Sequence, residues 1–135
     1  MGRRITRRFE VRLVALMLIV MTVAGCATLP PAQPARDLKA IAGKWAGTLQ
    51  LRDGRTLPAT MTITEDGTWE SRVPGLDNPG PQFVGSITIV DGQYRSTSDT
   101  TGRTATVTLH EGGGKRLLRA VNYDGRSTAD FQPAQ

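Results

Sequence analysis

The sequence predicts an all-β domain, a small antiparallel up-and-down barrel of about eight strands, set behind a signal peptide and a flexible linker. Three observations predict it. From Lys44 onward, apolar and polar residues alternate with period two, the pattern of strands with one dry and one wet face. Asp-Gly pairs recur at Asp53-Gly54, Asp66-Gly67, Asp91-Gly92 and Asp124-Gly125, and such pairs tolerate the positive φ angles of tight turns. The connections between strand-like runs are short, which makes successive strands antiparallel neighbours. Eight strands in a meander suffice to close on themselves and remove exposed edges.

Taken in order, the strands are expected at 45–51, 58–64, 68–73, 82–90, 93–98, 104–110, 116–121 and 127–132. The first alternates Trp45, Gly47, Leu49 and Leu51 against Ala46, Thr48 and Gln50. The second sets Ala59, Met61 and Ile63 against threonines, which suit the wet side of a pleated surface. Residues 87–96, "ITIVDGQYRS", place two turn residues between two strand-like runs. One connection is long: the proline-rich stretch 74–81, "PGLDNPGP", reads either as a lid or contact loop at the barrel mouth or as a stretch whose prolines only stop strand pairing. Ahead of the first strand, Asp37 is placed to cap a single helical turn that Gly43 ends.

The N-terminus carries an address. Arg3, Arg4, Arg7, Arg8 and Arg12 precede an uncharged run from Leu13 to Gly25. A positive start, a short apolar run and small closing residues make a secretory signal. The twelve residues from Leu13 to Ala24 fall short of the roughly 20 that cross a bilayer as a helix. Val23, Ala24, Gly25 and Cys26 resemble the lipobox of bacterial lipoproteins. That resemblance implies cleavage after Gly25, a diacylglyceryl group on the Cys26 sulfur and an acyl group on its new amine. Several acyl chains anchor stably, at about 0.8 kcal/mol per buried methylene. Ala27 follows in place of an aspartate, which in that family implies the outer membrane, facing the periplasm. The expected divisions are therefore 1–25, signal peptide; 26–36, lipidated cysteine and Pro/Ala-rich tether; and 37–135, barrel.

Composition narrows the function. The net charge is +5, but residues 1–25 hold five arginines and one glutamate, leaving 12 basic and 11 acidic side chains in the rest. No basic stripe interleaved with aromatics remains, so nucleic acid is not an expected partner. Cys26 is the only cysteine, which rules out disulfides. His110 is the only histidine and reads as a solvated residue beside the glycine-rich turn, so no metal site is expected. Most carboxylates sit at turns, where turn-making explains them. "EGGGKR" lacks the glycine spacing and the Ser/Thr of a phosphate loop, and no nucleophile elbow occurs. No catalytic residue and no cofactor is expected. Lys115, Arg116 and Arg119 read as a solvated cationic strand end.

Gly43, Lys44 and Trp45 resemble the Gly-x-Trp opening of lipocalins and related barrels. The resemblance implies that Gly43 turns the chain into the first strand and that Trp45 plugs the closed end. It also implies an arginine over that tryptophan from late in the chain, for which Arg126 is the candidate. The expected function is a membrane-anchored, non-enzymatic binding or interaction module in the periplasm. The alternative is a carrier of a small hydrophobic ligand, with Met61, Trp69, Phe83 and Tyr94 lining the barrel, or an inhibitor of a periplasmic hydrolase. The expected partners are the membrane, through Cys26, and an envelope protein or a small apolar ligand.

Overall fold

A computed structural model describes residues 28–74 and 83–135. Residues 1–27, with the expected signal peptide and Cys26, and residues 75–82, with most of the long connection, lie outside the described residues.

Eight strands close the barrel: β2 (Gly43–Gln50), β3 (Thr56–Ile63), β4 (Thr68–Arg72), β5 (Phe83–Val90), β6 (Gln93–Ser98), β7 (Thr104–Gly112), β8 (Lys115–Asn122) and β9 (Thr128–Pro133). Each pairs antiparallel with the next, and β9 returns to pair with β2. The expected up-and-down barrel of eight strands is what forms. Its strands match the alternation, with ends moved by one or two residues. At the β5–β6 hairpin, Asp91 has φ 51 and Gly92 φ 73, the left-handed pair that a two-residue turn requires.

The direction of each strand defines two ends. The β3–β4, β5–β6 and β7–β8 turns gather at one end, here the base. The other hairpin turns gather at the opposite end, the mouth, where β4 ends and β5 begins.

Two features precede the barrel. A 3-10 turn at Leu38–Ile41 crosses the base. The Asp37 carboxylate caps it by accepting from Lys39 N at 2.9 Å, and Gly43, at φ 128, turns the chain into β2. Before it lies β1 (Ala32–Gln33), inside the stretch read as tether. Its cause is a length mismatch. β7 has nine residues and β6 six, so the end of β7 runs past its neighbour. β1 takes the vacant edge, pairing Ala32 with His110 and Gln33 with Leu109. Prolines flank this strand without harm, because an edge strand can use their carbonyls alone: Pro31 O accepts from Glu111 N at 3.1 Å. Residues 30–36 thus lie against the barrel, and Ala35 is buried with its N–H donating to Gly92 O at 3.0 Å. His110 is correspondingly not solvated. It is half-buried, with Nδ1 2.9 Å from Pro30 O.

The core is densest toward the base, where Ile41, Trp45, Ile63, Tyr94 and Leu118 are almost fully buried. Leu49, Met61 and Phe83, expected inward, are half-buried against this core.

Candidate ligand-binding site

Size falls from base to mouth along the inward-facing positions of three strands. On β6 they read Tyr94, Ser96, Ser98, and on β7 Leu109, Val107, Ala105. On β9 they are Phe131 and Ala129, with Ser127 just before the strand. The small side chains of these strands leave room beside them. The result is a cavity of about 230 Å³ inside the barrel. Trp69, Ile87, Leu118 and Phe131 are apolar members of its wall, and Thr101, Arg103 and Asn122 belong to its mouth side.

The base is sealed by hydrogen bonds to the 3-10 turn. Trp45 Nε1 donates to Ile41 O at 2.9 Å. The Arg116 guanidinium stands 5.4 Å from the centroid of the Trp45 ring and donates to Ala40 O at 2.5 Å, a cation–π contact combined with a cap. The arginine over the tryptophan is therefore Arg116, which shares Leu118's inward parity at the base end of β8. Arg126 sits in the β8–β9 turn at the mouth, at the opposite end of the barrel. The Tyr94 hydroxyl donates to Asp37 O at 2.8 Å. Burial, and secondarily the charge of Asp37, pushes the Tyr94 phenol above its usual range.

Of the four residues expected to line a guest site, Met61, Trp69 and Phe83 border the cavity. Tyr94 does not: its ring is spent on the base seal. Trp69 is 8% exposed, and its Nε1–H has no hydrogen-bond partner among the described residues. An indole donor left so carries a penalty of about 1–3 kcal/mol. Gly85, paired with Trp69 across β4–β5, is what lets the indole lie against the sheet. A Cβ there would stand 2.7 Å from Trp69 Cζ2 and 2.1 Å from Thr97 O.

Polar groups around the cavity are few. Ser71 Oγ is engaged, donating to Thr60 O at 2.9 Å. Ser98 Oγ accepts from Thr101 N at 3.3 Å. Arg103 makes no ion pair among the described residues, whereas Arg52 beside it is bonded to Asp124. His110 lies at the base, bound to Pro30, and is not part of the cavity wall. Among the described residues, no three His, Cys, Asp or Glu side chains come together in a way that would hold a metal ion. The chemistry this site offers is therefore apolar enclosure with neutral hydroxyls, the Asn122 carboxamide and one guanidinium near the opening.

Sequence reasoning missed Ser96, Ala120 and Ala129 as wall residues. The signal was present in their small size at inward positions. No protein-family model matches the chain, and no curated protein matches it. Among solved structures the chain is similar to a redesigned β-barrel, at 17% identity over 75% of this chain and 97% of that one, with a TM-score of 0.48.

Proposed function

We propose that the chain is a non-enzymatic, lipid-anchored binding protein of the bacterial cell envelope, whose barrel takes a small, largely apolar guest through its mouth. The observation that carries the binding half is the cavity of about 230 Å³. A drug-sized guest needs roughly 300 Å³ or more, whereas a benzene-sized one fits about 150 Å³. The guest is therefore a compact molecule between these two, apolar in its body. The envelope half rests on the sequence: the arginine-rich start, the short apolar run and the lipobox-like residues ending at Cys26. In this reading the membrane is a partner through the lipid anchor on Cys26, with the outer membrane, periplasmic side, as the location.

Native mass spectrometry of the purified chain tests the cavity. A small co-purifying mass, lost when Ala120→Leu fills the wall, is the expected result. An empty barrel from every preparation, together with no binding of added small aromatic or aliphatic probes, refutes a carrier. Feeding labelled palmitate tests the anchor: label on the parent chain and none on Cys26→Ala is expected, and equal labelling refutes it.

A second reading has its own observation. Tyr123 stands 92% exposed in the β8–β9 turn at the mouth. A tyrosine held out on a rigid hairpin is a good anchor for a protein surface. In this reading the mouth turns contact an envelope protein, a periplasmic hydrolase being one kind. A photocrosslinker at Tyr123 in whole cells is expected to capture one defined protein, and a clean absence of adducts refutes it.

A further inference from the structure

We infer that the docked N-terminal strap fixes how the barrel stands on a bilayer, with the base against the lipid surface and the mouth facing away. This rests on the proposed acylation of Cys26.

The argument is one of length and direction. β1 is antiparallel to β7, and β7 runs from mouth to base. Followed backward from Ala32, the chain therefore leaves at the base, beside the β7–β8 hairpin. Four contacts hold it there. Pro31 O accepts from Glu111 N, Pro30 O meets His110 Nδ1, Gln33 Nε2 donates to Glu111 O at 3.2 Å, and Ala35 N donates to Gly92 O. Gly112 completes the seat: a Cβ on it would come within 3.1 Å of the Pro31 ring.

What remains between lipid and barrel is short. Cys26 and Pro30 are separated by four Cα steps, about 14 Å at full extension. Were the whole of 26–36 free, the eleven steps to Asp37 would reach about 38 Å. The barrel is about 20 Å tall, from eight-residue strands at about 3.3 Å per residue, reduced by tilt. The longer leash would let the barrel turn over and set either end on the membrane. The short one does not reach far enough. Leu29, next to the point of attachment, is an exposed apolar side chain at 43% that can meet the lipid. Charge does not set the orientation: Lys44 and Lys115 at the base stand among Glu65, Asp66 and Asp91 of the base turns, none of them in an ion pair among the described residues. The partner is a phospholipid bilayer surface, which leaves the cavity open to the aqueous compartment.

Fluorescence quenching tests this. The full-length chain is expressed with Lys115→Cys at the base or Tyr123→Cys at the mouth. Membranes are isolated, the thiol is labelled with a polarity-sensitive dye, and lipids carrying a headgroup nitroxide are added. The expected result is loss of fluorescence from the base probe and none from the mouth probe. Inserting a flexible Gly/Ser segment between Ala27 and Thr28, long enough to exceed the barrel height, is expected to abolish that difference. A membrane-bound protein whose two probes are quenched alike without the insertion overturns the orientation and leaves the anchor standing. The parent chain separates the other failure: if it takes dye on Cys26 and washes off the membrane, the thiol is not acylated and both the anchor and the orientation fall.

Discussion

Replacing Trp45 with Phe is the sharpest test of how the base is closed. Trp45 is 2% exposed, its Nε1 donates to Ile41 O at 2.9 Å, and Arg116 covers its ring at 5.4 Å. Phenylalanine removes the indole donor and leaves the carbonyl of the fully buried Ile41 unsatisfied, which costs about 1–2 kcal/mol. It also withdraws about three ring atoms from a packed site, a transfer plus cavity loss of about 1–2 kcal/mol. A benzene ring attracts the guanidinium less strongly than an indole, a difference of a few tenths of a kcal/mol. The total is about 2–4 kcal/mol, a large share of the stability of a domain this small. Urea unfolding followed by Trp69 fluorescence measures it, with the midpoint expected to fall at unchanged slope. A cycle with Arg116→Gln is expected to show a coupling of about 0.5–1 kcal/mol. A loss below about 1 kcal/mol, or no coupling, refutes the claim that the 3-10 turn, Trp45 and Arg116 seal the base as one unit.

Three further outcomes follow from particular contacts. Gly85→Ala drives a methyl into Thr97 O and the Trp69 ring and is expected to cost about 3 kcal/mol or more by thermal melting. Tyr94 has a raised phenol pKa, so its contribution is complete below the unfolded value of about 10 and is lost as pH rises through the higher folded value; alkaline unfolding is expected to show that limb in the parent and not in Tyr94→Phe. Arg119 makes two bonds to Asp130, at 2.7 and 2.9 Å, across β8–β9, yet both side chains are more than a third exposed. Arg119→Met is therefore expected to cost only about 0.5–1 kcal/mol in denaturant melts, and less still at high salt.

The eight barrel strands were legible because their signal is local. Alternation marks each strand, and Asp-Gly marks four of its turns. Features that depend on pairing register were not legible. β1 exists because β7 outruns β6, and "PPAQPAR" carries no apolar alternation to announce a strand. Arg116 reaches Trp45 because β8 begins at the base, a fact set by strand order around the barrel and not by distance along the chain. Arg126, chosen for its place near the C-terminus, falls at the other end for the same reason. Tyr94 was rightly read as inward, but the residue that would claim its hydroxyl, Asp37, is 57 positions away. The cavity stood between the two cases. The run of Tyr94, Ser96 and Ser98 shows large-to-small grading within one strand. Its meaning appears only when β7 and β9 repeat the grading at the same height.

That grading bears on why the barrel is hollow. An unfilled apolar space is destabilising by about 24 cal/mol per Å³ relative to a packed one. A cavity of about 230 Å³ that opens at the mouth forgoes part of that packing, less than a sealed void of the same size would. A few larger side chains at Ser96, Ala120 and Ala129 would recover much of it, since all three already face inward. The same barrel shows tight packing where nothing needs to enter: at the base, Ile41, Trp45 and Tyr94 interlock with the 3-10 turn. The two halves thus divide the work, one holding the closed sheet together so that the other can stay open. If Ala120→Leu raises stability while leaving all small-molecule binding intact, the space has no function, and the division between base and mouth is merely structural.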